Sequence, residues 1–334
     1  MPYRLKPRES IPNGIQRILT EQVERALAQL RGITTTREEG TQAAREQNDE
    51  RIHDARKRFK KARAVLRLVR DEIGETVYHQ ENVAYRDAGR ALAPMRDSAV
   101  MLETLDGLTD HYADSLGPHA FDSIRGYLLD IQQAVREQIL DGDTVARVID
   151  NVDAARGRIA ALPVSDTTFG AFYDGLKRVY KRGCKAMADA YDDPTTEHFH
   201  EWRKRVKYLW YHTRLLRVSW PDVLDPAADA IQDLSDDLGD DHDLAELRER
   251  VTRRPIIDAD LETRQALIGL IDRRRLTFRA RARPRGLRIY AEKPKVFVKR
   301  MARYWEASRQ TIRLRTDERP VVQRQALDGT LADG

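Results

Sequence analysis

One stretch of this sequence occurs twice, and that duplication limits the possible folds more than any other feature. Residues 52–67 read IHDARKRFKKARAVLR and residues 199–214 read FHEWRKRVKYLWYHTR. Aligned without gaps, His53 falls on His200, Arg56 on Arg203, Lys57 on Lys204, Lys60 on Lys207 and Arg67 on Arg214, at a constant offset of 147 residues (200 − 53). A second pair lies close to that offset, Leu92-Ala-Pro-Met-Arg96-Asp97 against Leu238-Gly-Asp-Asp-His242-Asp243, and Gly14-Ile-Gln-Arg17 resembles Gly175-Leu-Lys-Arg178. Similarity repeated at so long a period means that one structural unit is used twice. Two related halves are therefore expected over residues 10–162 and 168–314, joined at Pro163-Val-Ser-Asp-Thr167, with a polar, disordered tail over 315–334.

The unit is helical. In the first copy Ile52, Ala55, Phe59, Ala62, Leu66, Val69 and Ile73 recur at steps of three and four, the spacing of a core-facing seam. The 18 Gly and 13 Pro cluster between such segments rather than within them. The periodicity predicts helices over Ile11–Leu30, Asp49–Gly74, Tyr78–Leu105, Phe121–Leu140, Asp143–Leu162, Phe169–Tyr191, Thr195–Ser219, Ala227–Val251, Leu261–Ala282 and Pro294–Leu314. It leaves Gly32–Gln47 as a long loop and has Trp220-Pro221 end a helix. No segment reads as a strand, so the expected class is all-α.

Displaced one residue from the first seam run His53, Arg56, Lys60, Arg63, Arg67 and Arg70, with Lys57 beside them. In the second copy Phe199, Trp202, Val206 and Leu209 form the seam, and His200, Arg203, Lys204, Lys207, Arg214 and Arg217 form the stripe. Cations stacked on one helix face repel one another, so two such arrays call for a counter-anion. A single charged face is ordinarily solvated surface. Solvation alone does not keep His, Arg, Lys and Lys at identical spacing in both halves. Phosphate suits these donors: arginine offers a planar fork, lysine a compact charge, and histidine a donor that gains charge as pH falls. Arg178, Lys181, Arg182 and Lys185 on one helix, and Lys293, Lys295 and Lys299 at the start of the last, are candidates to extend the surface.

Net charge does not reveal this sorting, because 59 Lys+Arg stand against 54 Asp+Glu, leaving +5. The single cysteine, Cys184, excludes an intrachain disulfide or a cysteine metal cage, and a helix interior does not activate a nucleophile. The first residues lack a secretory apolar core and no run approaches the ~18 apolar residues of a membrane span, so a cytoplasmic protein is expected.

The duplicated H-x-x-R-K-x-x-K motif, the R-D and H-D pairs after it and Tyr290-Ala-Glu-Lys-Pro-Lys295 resemble the CHAD family, the conserved-histidine α-helical domain, from about Ile11 to Arg313. That resemblance implies two helical bundles of four-helix type related by a pseudo-twofold axis, with a basic surface between them. It implies inorganic polyphosphate as a ligand bound and not cleaved, with polyphosphate granules or a polyphosphate-processing enzyme as partners and no cofactor. Carried over, the contact positions are His53, Arg56, Lys57, Lys60, His200, Arg203, Lys204 and Lys207, and Asp97 and Asp243 are expected to orient the cations. Arg63 departs from the symmetry because its counterpart is Trp210. The family's frequent companion, a triphosphate-processing domain of CYTH type, is not expected within these residues.

Two rival readings accompany it. His242-Asp243, near Asp236, Asp237, Asp240 and Asp241, resembles the dipeptide of metal-dependent HD phosphohydrolases, yet the equivalent pair in the first half is Arg96-Asp97, and arginine does not ligate a metal. A metal on His53 and His200 is disfavoured by the cations beside them. Nucleic acid would be drawn to the stripes weakly and without sequence preference, and Tyr208, Trp210 and Tyr211 would have to stack on bases, whereas aromatics on a bundle helix ordinarily pack. His79, His111, His119, His198 and His212 read as structural or exposed.

Overall fold

Several helices begin where the sequence supplies a cap or a break. In a computed structural model that describes residues 3–36, 41–253 and 259–317, Ser10 caps α1 (Ile11–Arg31) by accepting the Asn13 N–H. Thr41 likewise caps α2 (Gln42–Leu68) and accepts from Ala44 N at 3.2 Å. A short turn, α3 (Arg70–Ile73), ends at Gly74, whose φ of +80° favours a residue without Cβ. There follow α4 (Glu75–Ala91), α5 (Ala93–His111), α6 (Asp122–Leu140) and α7 (Thr144–Gly157). The second half contributes α8 (Gly170–Asp192), α9 (Thr196–Leu216), α10 (Pro221–Arg253), α11 (Leu261–Ile289) and α12 (Pro294–Asp317). The described residues form no strand, and no helix among them is long and apolar enough to cross a membrane. The chain is all-α.

Several boundaries differ from the periodicity. The expected loop over Gly32–Gln47 gives way at Thr41, because α2 starts with exposed polar helix formers that carry no apolar rhythm. The helix expected over Tyr78–Leu105 is two, broken at Leu92 just ahead of Pro94. Pro221 opens α10 instead of merely ending its predecessor, since proline fits a first helical turn. In α11 the helix passes Pro284 and reaches Ile289, where Gly286 packs close to Trp202 and Met187. The tail expected to be disordered is helical to Asp317, and residues 318–334 lie outside the described residues.

Packing follows the duplication. Helix α1 packs on α2 as α8 packs on α9, α2 on α4 as α9 on α10, α5 on α6 as α10 on α11, and α1 on α7 as α8 on α12. The cores do not respect the junction, however. One apolar cluster gathers Ile18, Phe59, Tyr85 and Val152 of the first half with Phe172, Trp202, Leu234 and Trp305 of the second. A smaller cluster joins Leu105, Ile124 and Leu128 to Leu247, Val251, Leu267 and Ile271, so α5–α6 and α10–α11 close a four-helix unit across the halves. The junction itself is pinned, its Ser165 and Asp166 N–H groups each donating to Glu72 at 2.8 Å.

The two glycines that resemble each other in sequence are both sites of close approach. A Cβ on Gly175 would overlap the backbone carbonyl of Leu68, which lets α8 lie directly on the end of α2. A Cβ on Gly14 would meet the Leu5 side chain at 2.5 Å, and Leu5 in turn donates its N–H to Leu215 O. Helices α2 and α9 also pack on each other, which brings the two stripes together.

Candidate functional site

The seam residues of α2 and α9 are buried as the displacement requires, with Ile52, Phe59, Ala62, Trp202 and Val206 at 0–1% exposure. This turns the neighbouring faces of both helices outward and side by side. His212 Nε2 lies 2.8 Å from the Ala64 carbonyl, Arg67 stacks on Tyr208 at 4.2 Å, and buried Lys61 lies within electrostatic reach of Arg214. The last two contacts involve the same two repeat positions with the halves exchanged.

Lys60 and Lys207, one repeat position in two copies, face each other. Lys60 is solvent-exposed but crowded, and desolvation by surrounding protein together with Arg56, Arg203 and Lys207 pushes its ammonium down to about 8. Lys207 is lowered in the same way, chiefly by burial, with Arg203, Lys57 and Arg214 adding to it and Asp236 opposing.

Ion pairs sort the candidate cations. Arg56 donates to the carbonyls of Leu92 and Ala93, the latter at 2.7 Å, and to Asp97 at 3.2 Å, so it ties α2 to the α4–α5 break. Lys204 is held by Glu201 at 2.5 Å, Lys185 by Asp189 at 2.7 Å, and Arg178 by Asp71. Arg63 donates to Asn82, while Lys207 and Arg214 both lie over the Trp210 ring, at 4.5 and 4.7 Å. Among the described residues Lys57, Lys60 and Arg203 form no hydrogen bond or ion pair, and the Nε of Arg203 is buried without a partner. Exposed Lys181 is similarly unpaired, as are Lys293, Lys295 and Lys299 at the start of α12. Arg182 joins a separate knot of guanidinium groups, lowered by desolvation and by Arg205, Arg178, Arg67 and Arg70.

The histidines differ between copies. His53 is exposed, and burial of its ring with Arg96, Lys57, Lys60 and Arg56 nearby lowers its pKa. His200 packs on His242, Nδ1 to Nδ1 3.1 Å, and desolvation with the adjacent cations pushes them to about 4 and about 3. These rings therefore gain charge only at a lower pH than an ordinary imidazole. They are neutral near pH 7 because charging them means adding a cation to a desolvated, already cationic surface.

The acidic residues differ in what they pair with. Asp97 pairs with Arg56, and Asp243 is raised by burial and by Asp97 while Arg203, Arg96 and Lys60 oppose. Asp237 and Asp241 are buried and clamped from α11, the first by Arg281 and Arg285, the second by Arg275 and Arg279 at about 3 Å. Carboxylates so occupied do not offer the open oxygen ligands the hydrolase reading needs, and no group of three or more His, Cys, Asp or Glu among the described residues is placed to hold a metal ion. Trp210 and Tyr211 are buried and Tyr208 lies under Arg67, so none presents a free face to a base. Half-buried Cys184 has its thiol raised by burial.

Two residues escaped the sequence pattern. Lys61, 6% exposed, lies over Tyr3 with no ion pair among the described residues, and desolvation with Arg58, Lys57 and Arg214 pushes it to about 7. Arg96 extends the surface beside His53 and is steadied by Glu103 at 2.7 Å. The R-D pair was the signal for Arg96, whereas nothing in the pattern set Lys61 apart from its neighbour.

An all-α chain whose duplicated helices place cations on one shared face belongs to a defined class. The sequence pattern of the CHAD domain matches residues 17–252. This chain belongs to the CHAD family. Among solved structures, the crystal structure of the CHAD domain from the plant Ricinus communis is similar, with a TM-score of 0.56 and 18% identity over 86% of this chain and 93% of that one. No curated protein matches the chain.

Proposed function

We propose that the chain binds long-chain inorganic polyphosphate, without cleaving it, on the surface shared by α2 and α9. The observation that carries this reading is the group of facing cations Lys57, Lys60, Arg203 and Lys207, where desolvation and then the neighbouring cations lower Lys60 and Lys207. A ligand of closely spaced negative charge relieves that repulsion all along its length. Polyphosphate has about one charge per phosphate and no bases to read, and each further contact after the first is intramolecular, so weak pairs sum to tight binding. His53, Arg56, Arg63, Arg67, His200, Lys204 and Arg214 flank these four, with Asp97 and Asp243 orienting them. Arg178, Lys181, Arg182, Lys185, Lys293, Lys295 and Lys299 supply outlying charge.

The self-facing Lys60 and Lys207, and the exchanged contacts Arg67–Tyr208 and Arg214–Lys61, are what a pseudo-twofold axis between residues 10–162 and 168–314 would produce. Such an axis would run the ligand across both copies of the motif. A surface of this kind suits docking on polyphosphate granules or presenting the polymer to a processing enzyme in the cytoplasm. No cofactor enters this reading.

Titration with long-chain polyphosphate, tripolyphosphate and single-stranded DNA of matched charge, each at two salt concentrations, tests it. Long polyphosphate should bind tightest at both, with no orthophosphate released when Mg²⁺ or Mn²⁺ is added. Equal affinity for DNA would remove polyphosphate as the ligand, and metal-dependent phosphate release would make the chain a hydrolase.

A further inference from the structure

Lys60 combines three properties that lysines seldom share. Its side chain reaches solvent, it forms no ion pair among the described residues, and it stands among Arg56, Arg203 and Lys207. We propose that Lys60 is the chain's preferred site of non-enzymatic acylation by acyl phosphates, the neighbouring Arg203 guanidinium holding the phosphoryl end of the reagent while the amine attacks its carbonyl.

The geometry separates the two tasks. Arg56 is locked by the Leu92 and Ala93 carbonyls and Asp97, whereas Arg203 has a buried Nε with no partner and forms no hydrogen bond or ion pair among the described residues, so its donors are open to a reagent. Guanidinium is the group best matched to phosphoryl oxygens. An acyl phosphate bound there carries its acyl carbon one bond beyond the bridging oxygen, within the range of the flexible lysine stem. The neutral Nζ forms a bond to that carbon, and the C–O bond to phosphate breaks. Its electron pair leaves on inorganic phosphate, and the surplus nitrogen proton passes to water. No enzyme or further reactant is required.

Amine availability favours the same residue. With the ammonium near 8, about a quarter of Lys60 is neutral at pH 7.5, against about 0.1% of an ordinary lysine. Lys181, Lys293 and Lys295 are exposed and unpaired but do not stand beside the unpaired Arg203. The product amide is uncharged, so the modification would delete the central charge of the surface. This consequence for polyphosphate, unlike the acylation itself, rests on the function proposed above.

The test uses the intact chain with acetyl phosphate at pH 7.5 and site-resolved mass spectrometry over time. Lys60 should acquire acetyl groups at least about tenfold faster than Lys181 and Lys293, as its neutral fraction requires. A parallel reaction with the uncharged donor N-acetoxysuccinimide reports amine reactivity alone. In Arg203→Gln the ratio of the acetyl phosphate rate to the N-acetoxysuccinimide rate at Lys60 should fall severalfold, because the ratio cancels any change in the amine. If that variant loses helicity, inorganic tripolyphosphate added to the unaltered protein serves instead, and should slow Lys60 acetylation by acetyl phosphate while sparing Lys181. Acetylation of Lys60 no faster than Lys181 overturns the proposal, as does a ratio unchanged by Arg203→Gln or, where that variant is unusable, a Lys60 rate insensitive to tripolyphosphate. The acetyl phosphate and N-acetoxysuccinimide readouts involve no polyphosphate, so on them the proposal and the functional reading fail independently.

Discussion

Helices α2 and α9 carry the same motif but are wired differently. At the first arginine, Arg56 is spent on two carbonyls and Asp97, while Arg203 is unpaired. At the lysine that follows, Lys57 is free and Lys204 is held by Glu201. For the lysine the cause is one methylene. Asp54 and Glu201 occupy the same repeat position, but the shorter side chain pairs only with Arg58, at 3.0 Å, whereas the longer one reaches both Arg205 and Lys204. Spacing therefore determines where the cations stand, and the acids around them determine which cations are available.

The largest expected effect comes from the position where the copies meet. Reversing charge in Lys60→Glu/Lys207→Glu should lower polyphosphate affinity about a hundredfold or more at low salt with the helical circular dichroism unchanged, since four units of charge change on an exposed face. Retained affinity would take the stripes out of the account.

Next comes the arginine pair. Arg203→Gln should weaken binding about tenfold with little change in stability, the worth of a charge-assisted contact. Arg56→Gln should do the reverse, costing about 1–3 kcal/mol in denaturant unfolding as Leu92 and Ala93 lose their donor, with a smaller effect on binding. Identical phenotypes would mean that the wiring difference has no functional meaning.

A pH titration sharpens the same contrast. Lys60 and Lys61 titrate near 8 and 7 when folded and well above that when unfolded, so the unfolded chain binds more protons between about pH 7 and 10, and these groups make the free protein more stable as pH rises through that window. A bound polyanion restores the proton of Lys60, so binding takes up protons and weakens as pH rises. Affinity should fall by about tenfold from pH 7 to pH 9 on account of Lys60 alone. Calorimetry in buffers of differing ionisation enthalpy checks the uptake, and no buffer dependence at pH 8 would contradict it. His200 and His242, titrating near 4 and 3, should add nothing in this window.

The smallest effect is the most specific. Glu201→Asp should release Lys204 and raise affinity two- to threefold, the worth of a partly exposed pair. Asp54→Glu should capture Lys57 and lower it by a similar factor. Titration of both variants in one buffer checks the opposite signs.

Much of this was legible in the sequence. The steps of three and four gave the seams, and the displaced stripes gave the facing cations, because both depend only on helical geometry. Positions set by tertiary partners were not legible. Tyr3 and Leu5 are buried with no periodicity around them, through Tyr3 OH on the Lys61 carbonyl and Leu5 N–H on Leu215. The row Asp236, Asp237, Asp240, Asp241 offered a metal reading until α11 supplied four arginines from more than thirty residues away. Asp54 and Glu201 looked interchangeable, and their difference appears only when the reach of each carboxylate is measured.

The central claim is that Lys60 and Lys207, brought together from two copies of one motif, contact a single polyanion. The direct test is the salt dependence of long-chain polyphosphate affinity for the unaltered protein, for Lys60→Gln, for Lys207→Gln and for the double variant. The account predicts that the slope of log affinity against log salt falls by about 0.7–0.9 with each substitution and by about twice that in the double variant, as two counterion-releasing contacts on one ligand require. A slope unchanged in the double variant would contradict it.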